Sequence, residues 1–245
     1  MTKVLIVGAT SAIAQEVARC FTQHQAELFL VARRADRLAA VGDDLRVRGA
    51  RRVETMLLDV TDLGRHQELV DTAIATLGGL DTVLIAHGTL GDQRACERNV
   101  SAMIKELTTN CLSILSLSTI LANYFEQQQR GCLAVITSVA GDRGRQSNYV
   151  YGTAKGAVSI FLQGLRNRLS RAGVSVVTLK LGLVDTPMTA AMEKNVLFAS
   201  PQRVGRSIYL AMRKGNDVAY IPWFWRPIMA LLRSVPEPLF KRLTL

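Results

Sequence analysis

Two residues of the stretch SNYVYGTAKGAV, Tyr151 and Lys155, have the spacing of an acid–base pair. Residues four positions apart lie on one face of a helix, so the phenol and the ammonium are predicted to be neighbours. An unperturbed tyrosine titrates near ~10 and is a poor acid–base group at neutral pH. A nearby ammonium favours the phenolate, so we expect Lys155 to lower the pKa of Tyr151. Such a pair is suited to give a proton to a carbonyl oxygen that receives hydride.

Two polar side chains elsewhere in the sequence fit the same chemistry. Ser138 ends the apolar run CLAVITS, and a hydroxyl at a strand end is placed to hold the oxygen of a substrate. Asn110 lies in a long helical pattern, where it is expected to hold a water for proton relay. The predicted catalytic residues are therefore Asn110, Ser138, Tyr151 and Lys155.

The composition indicates one folded domain over residues 1–245, because 49% of the residues are hydrophobic and 20% are charged. The net charge of +10 is compatible with a nucleic acid, an anionic membrane or a phosphorylated ligand as partner. Nucleic acid is disfavoured because the basic residues are spread along the chain, without a basic strip interleaved with aromatic residues. Four cysteines without a CxxC pair and three scattered histidines predict no metal site.

The hydropathy of the chain predicts its location. The first residues already have a strand pattern, so no signal peptide is expected. No apolar run reaches the ~18 residues that a membrane-spanning helix needs. Most of the cysteines have apolar neighbours and suit a reducing compartment. We therefore expect a cytoplasmic protein.

Apolar runs alternate with helical patterns along the whole chain. Most of these runs are continuously apolar, as strands buried on both faces should be. Strand, helix and strand in repetition predict right-handed crossovers and a parallel sheet. The fold class is therefore α/β, a Rossmann-type doubly wound seven-stranded parallel sheet in a single domain. The predicted strands are 3–8, 27–33, 52–58, 81–88, 132–138, 174–181 and 218–222.

The first strand-to-helix turn, VLIVGATSAIAQEVA, has the position of a dinucleotide phosphate site. Only its first glycine, Gly8, is present, and Ala12 and Ala14 stand at the later positions. An ordinary helix cap is the alternative interpretation. The residues predicted to hold the pyrophosphate are Gly8, Thr10, Ser11, Ala12 and Ile13.

The second strand ends in LVARRADRL, where NAD-binding folds usually have an acidic residue. Arg33 and Arg34 instead match a phosphate with paired donors. We therefore predict that NADP(H) is preferred, with NAD(H) also usable. The alternative is that the two arginines are only the solvated basic start of a helix.

The third and fourth strand ends supply further cofactor contacts. Asp59 is predicted to accept a hydrogen bond from the adenine amino group, beside Val60. His87 is interpreted as a wall next to the cofactor rather than as a catalyst, whereas His66 is expected at the surface. The small residues of the fourth strand end are predicted to line the same site, as Ala86, His87 and Gly88.

In this order and spacing, Gly8 to Ala14, Asp59, Asn110, Ser138, Tyr151 and Lys155 resemble the short-chain dehydrogenase/reductase family over essentially the whole chain. The resemblance implies that Tyr151 is the acid and Ser138 the substrate positioner. It implies that Lys155 anchors the nicotinamide ribose and modifies the pKa of Tyr151, and that Asn110 supports the relay. The resemblance also implies that Val184 and Thr186 contact the nicotinamide. It further implies that the protein forms a homodimer or a homotetramer.

Three segments depart from the usual family pattern. The first turn lacks two glycines, the fourth strand ends in Ile85-Ala86-His87-Gly88, and Leu181-Gly182 replaces Pro-Gly.

Three other segments of the sequence are similar to the family branch that reduces decaprenylphosphoryl-2-keto-pentose: HGTLGD, TSVAGDRGRQSNYVYGTAKGAV and PWFWRPIMALLRSVPEPLFKRL. This similarity implies a lipid-linked keto-sugar as substrate.

The tail, 223–245, is a basic amphipathic extension rich in aromatic residues. Such a segment can bind the surface of an anionic membrane. Alternatively, it can line an apolar substrate pocket or pack against the rest of the domain or a second subunit. Arg143 and Arg145 either meet a substrate phosphate or are solvated loop charges. The segment 186–202 is either a lid over substrate or packed core.

We therefore expect an NADP(H)-preferring oxidoreductase that interconverts a ketone and a secondary alcohol, with a small-molecule or lipid-linked substrate. One alternative is a reductase of another apolar ketone, ketoacyl or steroid-like. The second is a nucleotide-sensing scaffold without enzymatic activity. The four predicted catalytic residues Asn110, Ser138, Tyr151 and Lys155 favour the enzyme. The glycines missing from the first strand-to-helix turn favour the scaffold.

Overall fold

The computed structural model describes residues 2–243 of the chain. Met1, Thr244 and Leu245 lie outside the described residues, and so does the end of the predicted tail. The strands are β1 (Lys3–Val7), β2 (Glu27–Ala32), β3 (Arg52–Leu57), β4 (Thr82–Ile85), β5 (Gly131–Ser138), β6 (Val174–Leu181) and β7 (Val218–Ile221). They pair in parallel in the order β3-β2-β1-β4-β5-β6-β7.

Helices connect the strands and cover both faces of the sheet. They are α1 (Ala12–Thr22), α2 (Ala35–Val47), α3 (His66–Leu77), α4 (Gln93–Arg98), α5 (Val100–Leu107), α6 (Ser113–Gln128), α7 (Tyr149–Leu169), α8 (Pro201–Lys214), α9 (Trp225–Ser234) and α10 (Glu237–Phe240). The predicted fold class is confirmed, and each predicted strand overlaps an observed one.

The core has two layers, one on each face of the sheet. Helices α1, α2 and α8 bury Phe21, Leu38 and Ile208 against one face. Helices α3, α6 and α7 bury Leu69, Leu117 and Leu162 against the other face, among many other apolar side chains. Because both faces are covered, β1 and β4 are buried almost throughout, which explains their uninterrupted apolar sequences.

The order of strands reverses between β1 and β4, which are paired to each other at the centre of the sheet. In open α/β sheets, ligands bind in the crevice at the carboxyl ends of the strands at such a point. The predicted catalytic and cofactor residues follow the carboxyl ends of β1 to β6 or lie on α5 to α7, so the topology brings them to one edge of the sheet.

Two local predictions are corrected by the structure. Asn110 does not lie in a regular α-helix: a π-helical turn, Thr108–Leu112, separates α5 from α6 and contains this residue. His66 is not at the surface but fully buried, where its ring contacts the carbonyl oxygen of Val60 at 3.0 Å and Oγ of Ser116 at 2.9 Å. Burial lowers the pKa of His66, which suits a neutral ring that ties the loop after β3 to α6.

Candidate active site

Helix α7 is held against the turn that follows β5 by a close approach of backbones. A Cβ atom on Gly152 would lie 2.8 Å from the carbonyl oxygen of Ala140, and one on Gly141 would lie 2.6 Å from the backbone nitrogen of Gly156. Only glycine fits at such contacts. The close packing places the face of α7 that carries Tyr151 and Lys155 beside the end of β5.

Ser138, Tyr151 and Lys155 line one cleft with a volume of about 200 Å³. The hydroxyl of Ser138 is close enough to the phenol to lower the pKa of Tyr151 by hydrogen bonding. Nζ of Lys155 lies 5.8 Å from the centre of the Tyr151 ring. The structure therefore brings these three predicted residues together.

The pKa of Tyr151 moves in the direction opposite to the expected one. Burial in the cleft raises it to about 12, and the nearby hydroxyl of Ser138 offsets only part of this rise. The negative charge of Glu106 raises it further. The expectation that Lys155 lowers the pKa of Tyr151 is wrong for this structure, because desolvation of the phenolate outweighs any attraction to the ammonium.

Lys155 carries a buried ammonium group that has few hydrogen-bond partners and no counter-charge within residues 2–243. Its side chain is almost fully covered, and its hydrogen-bond partner among the described residues is the carbonyl oxygen of Ile136 at 3.3 Å. No carboxylate of residues 2–243 lies within ion-pair distance of it. Burial lowers the pKa of Lys155 to about 8. The remaining N–H donors are suited to hydroxyl groups of a ribose.

Asn110 is fully buried beside the cleft and binds the loop after β4. Its Oδ1 accepts from the backbone N–H of Thr89 at 3.0 Å, and its Nδ2 donates to Oε2 of Glu106 at 2.8 Å and to Oγ1 of Thr89 at 3.0 Å. A Cβ on Gly88 would lie 2.7 Å from Oδ1 of Asn110 and 3.3 Å from Nζ of Lys155. The side chain of Asn110 thus positions the floor of the site.

The turn after β1 fits the phosphates of a dinucleotide despite its missing glycines. Gly8 has φ of +86°, and a Cβ there would lie 2.6 Å from the backbone nitrogen of His87. The Ser11 side chain makes no capping hydrogen bond, so it leaves the first amide groups of α1 open to an anion. Ser11 and Ile13 line the cleft, whereas Thr10 and Ala12 flank them in the turn.

The two arginines after β2 differ in their contacts. Arg34 donates to both carboxylate oxygens of Asp36, at 2.8 and 3.3 Å, so its guanidinium is already engaged. Arg33 is exposed and forms no ion pair or side-chain hydrogen bond with any residue in 2–243. Asp59 lies near Arg33, and its Oδ1 accepts from the N–H and hydroxyl of Thr61, which lowers the pKa of the carboxyl. Arg33 is therefore the donor left for a ligand.

His87 forms a neutral wall between the turn after β1 and α6. Its Nε2 contacts Oγ of Ser113 at 2.8 Å, and that hydroxyl donates to the carbonyl oxygen of Thr109. Nε2 therefore carries the proton. Burial lowers the pKa of His87 to about 3, so the ring has no charge at neutral pH. Ala86 and Gly88 line the cleft with it.

The outer wall of the cleft is built by the segment after β6 and by α9. Val184 and Thr186 line it, together with the methionines Met188 and Met192 of the predicted lid. These methionines are exposed rather than packed in the core. Trp225 packs so closely over Gly182 that no Cβ could stand there, which explains why this position has glycine.

The tail of the chain is fastened to the body by Arg143. Its Nη1 donates to the carbonyl oxygens of Leu232 and Val235, each at 2.6 Å, and its guanidinium lies 3.6 Å from the centre of the Phe240 ring. Nη2 also donates to Glu237. Neither alternative given for Arg143, a substrate phosphate contact or a solvated loop charge, agrees with the structure, because the tail occupies this largely buried side chain. Arg145, in contrast, lines the cleft.

Two residues of this site were not singled out from the sequence. Glu106 faces Asn110 and Thr89, and its only sequence signal is an acidic residue four positions before Asn110 on a helix. Trp225 was noted only as one aromatic residue of the tail. Its contact with Gly182 joins segments that are far apart in the sequence, so no local pattern could reveal it.

Residues 2–243 contain neither a membrane-spanning helix nor a metal-binding cluster. No helix within 2–243 is both long and apolar enough to cross a membrane. No group of three or more histidine, cysteine, aspartate or glutamate side chains in the same range is arranged to hold a metal ion.

Sequence comparison agrees with this architecture. The profile of the family described as short chain dehydrogenase matches residues 2–197. The chain is 37% identical over 240 residues to the uncharacterized oxidoreductase Rv2073c of Mycobacterium tuberculosis, with 98% of this chain and 96% of that protein covered. It is 32% identical to an uncharacterized oxidoreductase in the mprA 5′ region of Streptomyces coelicolor, with 98% and 94% covered.

Solved structures share the fold at low sequence identity. A short-chain type dehydrogenase/reductase from Mycobacterium ulcerans superposes with a TM-score of 0.81 at 20% identity, covering 90% of this chain and 88% of that one. A variant of actinorhodin polyketide ketoreductase, solved with NADPH, also gives 0.81 at 20% identity, with 90% and 95% covered. The family match and the relative 37% identical over nearly the whole chain show that this chain belongs to the short-chain dehydrogenase/reductase family of oxidoreductases.

Proposed function

We propose that this protein interconverts a ketone and a secondary alcohol with NADP(H), and that Tyr151 gives the proton to the carbonyl oxygen. The observation that carries the proposal is the meeting of Ser138, Tyr151 and Lys155 in one cleft at the carboxyl edge of the sheet. A protein that only bound a nucleotide would have no need of a buried phenol and a serine at the same point.

Each side chain has a distinct role in the proposed reaction. The bound cofactor supplies hydride to the carbonyl carbon. The Ser138 hydroxyl holds the carbonyl oxygen, and Tyr151 transfers its phenolic proton to that oxygen. The ammonium of Lys155 binds ribose hydroxyls and stabilises the phenolate that remains. Asn110 keeps the loop that carries Gly88 in place, and a role in proton relay is proposed for it as well.

The preference for NADP(H) is proposed to rest on Arg33. A guanidinium without a partner at the end of β2 matches a 2′-phosphate, and Asp59 keeps an oxygen for the adenine amino group. Val60, Val184 and Thr186 are proposed to complete the cofactor site. The actinorhodin ketoreductase, of similar fold, was solved with NADPH, which supports this preference.

Replacement of Arg33 by alanine is expected to raise the KM for NADPH by about tenfold or more, because a charge-assisted contact contributes about 1.5–3 kcal/mol. The KM for NADH should stay within about twofold. Steady-state kinetics with both cofactors measure this. The matched control is Arg37→Ala, an exposed arginine four residues later, in the first turn of α2. An equal rise of the KM for NADPH and for NADH would mean that Arg33 does not bind the 2′-phosphate.

The proposed substrate class is a ketone carried on an apolar or lipid-linked molecule, with a polyprenyl-phospho-keto-pentose as the first candidate. The methionines and Trp225 make the outer cleft apolar, which suits such a molecule. A ketoacyl or steroid-like ketone is the other candidate for the same surface.

The test is NADPH oxidation by the purified protein with a polyprenyl-phospho-keto-pentose, run beside ketoacyl, steroid and small sugar ketones. Turnover confined to the lipid-linked sugar supports the first candidate. Turnover confined to another ketone keeps the reductase chemistry and removes the lipid-linked sugar. Absence of turnover on the whole panel counts against the proposed function.

We also propose a homodimer or homotetramer. Large apolar side chains stand exposed on the outer faces of α5 and α7, including Ile104 and Ile160. Exposed apolar surface of this kind commonly marks an interface between subunits. Analytical ultracentrifugation at micromolar concentration measures the assembly, and a pure monomer would contradict the proposal.

We also propose that this protein is cytoplasmic. Its tail, 223–245, is proposed to contact the inner face of the membrane. Trp223, Leu231 and Leu239 are exposed; Arg226 and Arg233 lie between them in the sequence, and Lys241 follows them. Trp223→Ala with Leu231→Ala should reduce binding to phosphatidylglycerol vesicles about tenfold in sedimentation. Val47→Ala, at the end of α2, is the control for loss of an exposed apolar side chain. Binding equal to that of the wild type would rule out this surface.

A further inference from the structure

The two arginines that follow Ser138 have opposite surroundings. Arg143 is saturated by the tail, as described above. Arg145 forms no ion pair and no side-chain hydrogen bond with any residue of 2–243, and its Nε is buried without a partner. A guanidinium cannot lose its charge to escape this situation. Burial lowers the pKa of Arg145, and no neighbouring charge contributes to this shift.

The wall of the cleft contains no compensating negative charge. Of the residues in 2–243 that line it, Arg145 and Lys155 are charged, and none is an aspartate or a glutamate. Lys155 lies deep, behind Tyr151, and is assigned to the cofactor. Arg145 is thus a cation in a largely apolar cleft without a counter-charge, an arrangement that favours an anionic ligand.

Two further polar groups of the same cleft are buried and unpaired. Nε1 of Trp225 has no acceptor among the described residues, although the side chain is only 6% exposed. Oδ1 of Asn148 is unpaired as well. Trp225 belongs to α9, Asn148 precedes α7 and Arg145 lies in the loop between β5 and α7. Native proteins rarely bury polar groups unpaired, so groups that line one cleft from separate segments indicate a missing ligand.

We propose that this cleft contains a binding site for an anionic group of the substrate, formed by the guanidinium of Arg145 and the indole N–H of Trp225. The substrate is then a ketone or alcohol that carries a phosphate or a carboxylate near the reacting carbon. This inference rests on the proposed function for its kinetic consequence, but the binding site itself can be tested without turnover.

The first experiment measures anion binding to protein saturated with NADP⁺, which keeps the cofactor phosphate sites occupied. Inorganic phosphate and acetate are titrated while the Tm of the protein is followed, because an anion that binds only the folded state raises the Tm with its concentration, in the wild type and in every variant alike. Arg145→Met should weaken binding by about tenfold or more. Trp225→Phe, which keeps an aromatic ring and removes the N–H, should weaken it about threefold to tenfold. Stronger binding of phosphate or of acetate identifies the kind of anion.

The matched control is Arg171→Met, since Arg171 is exposed in the turn that precedes β6, at the opposite edge of the sheet. Equal binding by wild type and Arg145→Met, equal losses in both arginine variants, or no anion binding by the wild type would each overturn the site. The side chain of Arg145 makes no hydrogen bond within the described residues, so Arg145→Met should fold with an unchanged or higher Tm.

The second experiment uses three ketones as probes: dihydroxyacetone phosphate, acetoacetate and neutral dihydroxyacetone. In Arg145→Met, KM should rise about tenfold or more for the matching anionic ketone, with kcat within about threefold. KM for the neutral ketone should not change. An equal rise for all three would indicate a purely structural role and overturn the inference. If none is turned over while anion binding still depends on Arg145, the site stands and the proposed function fails.

Discussion

Tyr151→Phe is expected to lower kcat by about 10³-fold while the Kd for NADPH stays within about twofold. Phenylalanine keeps the ring that packs in the cleft and removes only the proton donor, and general acid catalysis contributes about 10²–10⁴-fold. Turnover is measured with the substrate found in the ketone panel, and Kd by the quenching of tryptophan fluorescence. Separate measurement of the two constants distinguishes loss of chemistry from loss of the cofactor.

The chain provides a close control for this substitution. Tyr149 lies two residues earlier, on the same helix, and 43% of its side chain is exposed. It is not among the residues that line the cleft. Tyr149→Phe removes the same hydroxyl from the same turn and should leave kcat within about twofold. If Tyr151→Phe keeps more than about a tenth of the activity, another group gives the proton. If the variant still complements a deletion in the cell, a scaffold function is favoured.

The fold could be predicted from the sequence because its signals are local. Each strand of the sheet is a short apolar run, and each crossover helix has its own periodicity. The predicted run 81–88 shows the limit of such signals. The strand itself ends at Ile85, and the following residues leave the sheet to form the floor of the cleft. Apolar and small residues continue past the strand there, so hydropathy could not mark its end.

The site was predictable where its residues are close in sequence and not where they meet through packing. The spacing of Tyr151 and Lys155 follows from one helix. The roles of Arg143 and Arg145 depend on a tail about 90 residues away, since Arg143 binds Val235 with a separation of 92. The direction of the pKa shift of Tyr151 depends on how deeply the cleft buries it, and sequence gives charge but not desolvation.

Lys155→Met is expected to abolish turnover and, at the same time, to stabilise the fold. Lys155 is 2% exposed and carries a pKa of about 8 instead of its ordinary 10.5. A folded-state pKa below the unfolded one means that the unfolded chain binds the proton more tightly, so protonation opposes folding. A difference of this size corresponds to about 3 kcal/mol at pH 7. Methionine has a similar length and no charge, so the variant should melt several degrees higher.

The pH dependence of stability distinguishes this explanation from a gain in packing. Between about pH 8 and 10.5 the unfolded state of the wild type binds more protons than the native state, so wild-type stability should rise with pH. The advantage of Lys155→Met should therefore be full at pH 7 and fall below about 1 kcal/mol at pH 10. Urea unfolding at the two pH values measures it. An advantage independent of pH would contradict the role of the buried charge.

Lys180→Met is the matched control and should have the opposite sign. Lys180 is also buried, but it forms an ion pair with Asp142, whose side chain is only 2% exposed and also accepts from the hydroxyl of Tyr220 at 2.7 Å. Removing this lysine leaves a buried carboxylate without its counter-charge, which commonly costs about 3–5 kcal/mol. Two buried lysines, Lys155 on α7 and Lys180 on β6, would then respond oppositely to the same substitution. The paired one stabilises the fold, whereas the unpaired one lowers stability at the point where we propose that the cofactor and the substrate meet.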